Sequence, residues 1–236
     1  MRRDIGVIAL ALTLASLSGA CKRSTALAPA PSAPHLVAAP LCVSAGAVEV
    51  LGDGHLHVDT GGMRGQIPSD FSRTAELAFT YGGASRTSAP LANGELRRQI
   101  GLKLRARDTC NVVYVMWRIE PTAGVFVSVK RNPGMSTHAE CGDRGYENVR
   151  GLPGAATAKV TSPLVGSTHT LRAVLGPDDR TLHVLADGTP VFEAVLPEDA
   201  LAFDGPAGVR SDNGRFDFEL RVPPGGAPIA SCESQR

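Results

Sequence analysis

From Leu41 onward the apolar residues of this chain recur at every second position, and that period constrains the fold more than any other feature. The last such stretch is the clearest. Phe216, Phe218, Leu220 and Val222 share one parity, and Arg215, Asp217, Glu219 and Arg221 share the other. This is the pattern of a strand with one buried and one wet face. The same alternation runs through 72–81, where Leu77 and Phe79 share a parity, and through 97–106, 111–119 and 124–131. It returns at 167–175, 180–187 and 190–195, with Asp187-Gly188 as a hairpin turn. Residues 45–50 and 54–59 read as a further hairpin around Gly52-Asp53-Gly54. No helix longer than two turns is predicted, and residues 197–202 read as one short turn. Many short strands between Gly/Pro-rich turns predict an all-β fold, a jelly-roll β-sandwich of two antiparallel sheets.

The N-terminal residues speak of compartment. Arg2 and Arg3 precede an apolar run over 5–17 in which Thr13 and Ser16 are the polar interruptions, and Ser18, Gly19 and Ala20 follow. That is the three-part layout of a secretory signal. The run is shorter than the roughly 20 apolar residues that a spanning helix needs. Leu17-Ser18-Gly19-Ala20-Cys21 resembles the lipobox of bacterial lipoproteins, with the Leu four residues before the Cys instead of three. The resemblance implies a lipid on Cys21 that holds the chain to a bacterial membrane. Lys22 in place of aspartate resembles the outer-membrane sorting pattern. Pro29, Pro31, Pro34 and Pro40 then lie among Ala and Ser, a composition for an extended tether rising about 3.1 Å per residue. The expected organisation is a signal peptide over 1–20, an anchored tether over 21–40 and a sandwich domain over 41–232.

With Cys21 assigned to the lipid, Cys42, Cys110, Cys141 and Cys232 remain, an even set suited to an oxidising compartment. Three pairings are open. The preferred one joins Cys42 to Cys232 at the two ends of the domain, and Cys110 to Cys141 around a hairpin and its loop. No C-x-x-C and no histidine at finger-like spacing is present, so neither a zinc site nor a cofactor is implied. Losing Arg2, Arg3 and Asp4 with the signal leaves equal numbers of each charge, which gives no global steering toward nucleic acid.

The C-terminal third carries a resemblance. His169-Thr-Leu-Arg172, Leu182-His-Val-Leu-Ala-Asp-Gly188 and the run from Gly205 through Gly208-Val209-Arg210 to Leu220 resemble the closing strands of concanavalin A-like sandwiches, among them laminin G-like and 3-keto-disaccharide hydrolase-type domains. The resemblance implies the fold. It leaves activity open, because this fold hosts lectins, hydrolases and inert spacers.

Strand parity supplies the candidate site. Ile100, Leu102 and Leu104 oppose Gln99, Lys103 and Arg105; Val113, Val115, Trp117 and Ile119 oppose Tyr114 and Arg118; Val125, Val127 and Val129 oppose Phe126, Ser128 and Lys130. If these strands are neighbours, one sheet surface carries Lys103, Arg105, Tyr114, Arg118 and Lys130. Concanavalin A-like proteins commonly bind ligand on the concave face of one sheet. The resemblance therefore implies a groove for an anionic or polar glycan, with Tyr114 as stacking surface and the cations as donors. The polar loop 132–150, fixed by a disulfide at Cys141, adds His138, Glu140 and Arg144 to the candidate ligand set. Trp117 falls on the core parity and is predicted to be buried. One Trp and three Tyr are a thin supply for a strong sugar binder.

Catalytic signatures are sparse. Glycosidases of this fold carry E-x-D-x-E on one strand, and Arg215-Phe-Asp217-Phe-Glu219 lacks the first acid. His55-Leu-His57 places two imidazoles on one strand face without an accompanying acid. The expected function is a lipid-anchored, non-catalytic module that binds glycan or another envelope component, including an envelope protein. A hydrolase of a modified disaccharide and a structural domain without small ligand are the alternatives.

Overall fold

The computed structural model describes residues 35–69, 71–155 and 157–224. Among them fifteen strands follow in chain order: β1 (Val37–Ala38), β2 (Cys42–Ala45), β3 (Glu49–Val50), β4 (Leu56–Asp59), β5 (Gly62–Gln66), β6 (Thr74–Ala84), β7 (Arg98–Leu104), β8 (Val112–Glu120), β9 (Gly124–Lys130), β10 (Tyr146–Asn148), β11 (Thr168–Leu175), β12 (Thr181–Ala186), β13 (Thr189–Val195), β14 (Gly208–Asp212) and β15 (Gly214–Val222). One sheet, A, has the order β13-β12-β11-β6-β15-β4-β3, with β1 paired to the far end of β15. The other, B, has the order β10-β9-β8-β7-β14-β5-β2. Every pairing is antiparallel. The chain is an all-β jelly-roll sandwich, as the period-two pattern predicts.

The core forms where the apolar parities of the two sheets meet. Ile100, Leu102, Val113, Val115, Trp117, Val127 and Val209 from sheet B pack with Leu77, Phe79, Leu171, Leu182, Phe216 and Phe218 from sheet A in one cluster. Burying each of these larger side chains stabilises the fold by about 1.5–3 kcal/mol. Trp117 is buried, as its parity predicts; its ring lies edge-on to Phe79 at 5.5 Å, and its Nε1 donates to the Thr161 carbonyl at 3.3 Å.

Three departures from the sequence reading have local causes. The stretch 45–50 is broken at Gly46, whose φ is +76°, so β2 joins sheet B while β3 joins sheet A. Strand β5, Gly-Met-Arg-Gly-Gln, carries too little alternation to be read as a strand, yet it lies between β14 and β2. Its approach to β14 is close: a Cβ at Gly208 would stand 2.2 Å from the Gly65 carbonyl oxygen. The pairing of Val37 with Val222 brings the end of the proline-rich stretch into sheet A.

Cys110 and Cys141 are joined, with 5.8 Å between their Cα atoms. Cys141 ends a single helical turn, His138–Cys141, so the bridge ties the loop after β9 back to the entrance of β8. The signal, Cys21 and the Cys232 end of the other preferred bridge lie outside the described residues.

Candidate functional site

Register places the outward side chains of sheet B in rows that cross strands. One row reads Gln66, Gly208, Lys103, Tyr114, Ser128, Asn148. The next reads Arg64, Arg210, Gly101, Met116, Phe126. A third reads Gly62, Asp212, Gln99, Arg118, Gly124. The face is walled on two sides. On one side stands the segment Pro90 to Asn93, held by Asn213 in the crossover from β14 to β15. The Asn213 Oδ1 accepts from the Ala89 amide at 2.8 Å and its Nδ2 donates to the Ala89 carbonyl at 2.9 Å. On the other side stands the disulfide-tied loop with His138, Asp143 and Tyr146. Between them lies a trough of two adjoining basins, about 270 Å³ over Gln99, Met116, Arg118 and Phe126, and about 570 Å³ over Arg64, Lys103 and Lys130. Tyr114, Tyr146, Asp143 and Arg210 border both.

The shared centre is an aromatic and cationic stack. The Tyr114 and Tyr146 rings lie 6.1 Å apart at 22°, Arg210 sits 4.9 Å from the Tyr114 centroid and Lys130 5.3 Å from that of Tyr146. Asp212 accepts from Arg64 at 2.7 Å, Arg210 at 2.9 Å and Gln99 at 2.7 Å. Burial alone would push the Asp212 carboxyl up; the guanidiniums of Arg210 and Arg64 and the Gln99 amide outweigh it and hold the group below the usual carboxylate range. Lys103 is buried, and Gln66 Oε1 at 3.2 Å is its hydrogen-bond partner. Burial, reinforced by Arg64 and Arg210, brings its amine down to about 7. Burial, with Tyr146 beside it, pushes the Tyr114 phenol up to about 12, so Tyr114 is a neutral donor.

Five of the eight sequence candidates line the trough: Lys103, Tyr114, Arg118, Lys130 and His138. Their setting differs from a solvated face. Lys103 and Lys130 are buried, and Lys130 Nζ donates to the Thr109 carbonyl at 3.1 Å and the Gly142 carbonyl at 2.6 Å, fastening the tied loop. Arg118 lies over the Phe126 ring, 3.8 Å from its centroid.

The other three candidates lie outside the lining of the trough. Arg105 follows β7 with φ +50°, which turns it out of the alternation; its Nε donates to the Phe203 carbonyl at 2.9 Å and its Nη2 meets Asp204 at 2.5 Å. Glu140 caps the helical turn, accepting from the Ser136 and Thr137 amides at 2.9 and 2.8 Å. Arg144 donates to the Cys141 and Glu140 carbonyls of that same loop. Sequence reasoning also misses Arg64, Gln66, Arg210 and Asp212 as site residues. The parity of Val209 against Arg210 is the available signal for β14; the glycines of β5 hide Arg64 and Gln66.

Two acid-bearing constellations lie elsewhere. Asp217 and Glu219 project from the outer face of sheet A, where Asp217 meets His57 Nδ1 at 2.5 Å. Ser167 Oγ lies 2.8 Å from His169 Nε2, and His169 Nδ1 lies 2.8 Å from Asp187 Oδ2, the spacing of a nucleophile, base and orienting acid. The serine hydroxyl also has the Leu164 carbonyl at 2.6 Å, and the amides of Gly166 and Ser167 already donate to Tyr81 and Leu164. Those amides therefore offer no donors to an oxyanion, and the chain of bonds acts as a fastener between the β12–β13 turn and β11.

No protein-family model and no curated protein matches this sequence. Among solved structures, the chain is similar to the carbohydrate binding module CBM66 from Bacillus subtilis, with a TM-score of 0.50 and 15% identity over 77% of this chain and 92% of that one. It is also similar to the metal-free form of the carbohydrate recognition domain of Emp46p, with a TM-score of 0.47 and 13% identity over 77% of this chain and 86% of that one. A third likeness, with a TM-score of 0.41 and 10% identity over 75% and 74% of the two chains, is to SCLam, a non-specific endo-beta-1,3(4)-glucanase of family GH16. The first of these agrees with a concanavalin A-like sandwich.

Proposed function

We propose that this protein is a non-catalytic saccharide-binding module whose binding face is the walled outer surface of sheet B. The observation that carries the reading is the placement of Tyr114 and Tyr146, two of the three tyrosines, with Phe126 and a set of cationic and amide donors in one trough. Sugars present apolar ring faces and hydroxyl edges, and a concave site with aromatic floors and a few fixed donors suits both. The fold shared with the Bacillus subtilis carbohydrate binding module supports the same reading. A secretory signal and a lipid on Cys21 would hold the module in the bacterial envelope.

Glycan-array and affinity-electrophoresis measurements on the soluble domain test the binding face. Tyr146→Ala and Arg210→Ala are expected to weaken binding by about tenfold or more, the scale of one lost aromatic or charged contact. Arg172→Ala, on sheet A, is expected to leave it unchanged. Retention of no saccharide, or equal losses from both faces, ends the proposal. For the anchor, Cys21→Ser is expected to move the protein from the membrane to the soluble fraction; unchanged partitioning ends that part.

A further inference from the structure

The larger basin is unbalanced in charge. Arg64 enters it from β5, Arg210 from β14, Lys103 from β7 and Lys130 from β9, and Asp212 is the carboxylate built into the floor beneath them. That carboxylate is already satisfied by three donors. Arg210 spends Nε on Asp212 and only a long 3.5 Å contact of Nη1 on the Tyr146 hydroxyl, and Lys103 uses one of its donors on Gln66. Asp143, on the rim of the basin, and Asp108, outside it, are the acids that partly offset the lysines, with Tyr114, Tyr146 and His138 as the remaining titratable neighbours. Apart from Asp212, which Arg64, Arg210 and Gln99 occupy, no carboxylate is built into the floor beside Lys103. A buried amine beside two guanidiniums has no carboxylate in hydrogen-bonding contact, Gln66 being its partner, and the open side of the basin is where an anion can enter.

The geometry points to an acidic sugar as the ligand: a carboxylate or sulfate ester seated between Arg210, Arg64 and Lys103, with the ring of that residue or its neighbour against Tyr146. This rests on the saccharide-binding reading and narrows it. An anion in that seat favours the ammonium form of Lys103, so binding takes up a proton. The amine titrates near 7 in the free protein. Affinity is therefore full below that pH and falls as pH rises above it, by up to about tenfold per pH unit until the bound-state value is passed.

Isothermal titration calorimetry on the signal-less chain decides it. The probes are tetragalacturonate, its methyl ester and a chondroitin sulfate tetrasaccharide, each at pH 6.5 and 8.5 in two buffers of different ionisation heat. The acidic probes are expected to bind at least tenfold tighter than the methyl ester, with proton uptake above pH 7. Preference for tetragalacturonate assigns a carboxylate, and preference for the chondroitin fragment a sulfate. Lys103→Met is expected to abolish the proton uptake. If that variant does not fold, uptake in the unaltered protein still decides. Equal affinity for acid and ester, with binding still lost in Tyr146→Ala, overturns the acidic-sugar inference and leaves the saccharide face standing. Acid preference without proton uptake overturns the seat at Lys103. Binding of none of the probes, together with an empty glycan array, overturns both.

Discussion

The outer faces of sheets A and B arise from the same period-two pattern and differ in how their charges are matched. On sheet A each prominent charge meets its complement. Glu76 accepts from Arg172 at 2.7 Å and Arg221 at 3.3 Å, Arg221 also holds Glu219, Asp217 meets His57, and Thr80 bonds Thr168 at 2.8 Å. Most of these groups stay in contact with solvent. On sheet B, Lys103, Lys130 and Arg210 are buried, and with Arg64 they outnumber Asp212 beneath them and Asp143 on the rim. Alternation alone makes a sheet face, then. Whether that face is finished or waits for a partner is decided by how its charges are matched and how far they are withdrawn from water.

The strongest challenge to this contrast is Asp212→Ala. It leaves two guanidiniums beside each other with no carboxylate, an expected loss of about 3–5 kcal/mol in urea unfolding. The stability contributed by Asp212 is present above about pH 4, the ordinary value of the unfolded group, and disappears as acidification protonates the carboxylate in the fold. Acid unfolding of the variant is therefore expected to be shallower. The double variant Cys110→Ser/Cys141→Ser comes next, at about 3–4 kcal/mol for a crosslink between residues 31 positions apart. Saccharide binding should fall with it, because one wall of the trough loses its tie. Lys103→Met has the opposite sign. The folded amine sits near 7 and the unfolded one near about 10.4, so the unfolded chain binds more protons between those values. The substitution should stabilise at pH 7 and below, on the order of 1–3 kcal/mol, with the gain fading as pH approaches 10. The smallest effect is expected from Glu76→Ala on sheet A, about 1 kcal/mol, since Arg172 and Arg221 regain water when released. If Glu76→Ala costs as much as Asp212→Ala, the two faces are not different in kind.

Much of this contrast is legible in the residues alone. The parities of 99–105, 112–119 and 125–131 put Trp117 in the core and Lys103, Tyr114, Arg118 and Lys130 on one face, because side-chain direction in a strand is set by position alone. The bridge between Cys110 and Cys141 is among the pairings that the sequence favours. Arg105 escapes such reasoning because a single left-handed residue ends the alternation, and hydrophobicity does not register φ. Arg64 and Arg210 escape it because they come from strands distant in sequence, one of them rich in glycine. Their meeting with Lys103 is a property of strand order, which residue periodicity does not encode. The burial of the cations is likewise out of reach, since the walls that cover them are loops.

The Cys110–Cys141 bridge ties the loop that leads into β10, where Tyr146 pairs opposite Lys130 and stacks on Tyr114. On the proposed saccharide-binding reading, a chain retained among reductants would keep its hydrocarbon interior and lose the tie on one wall of its trough.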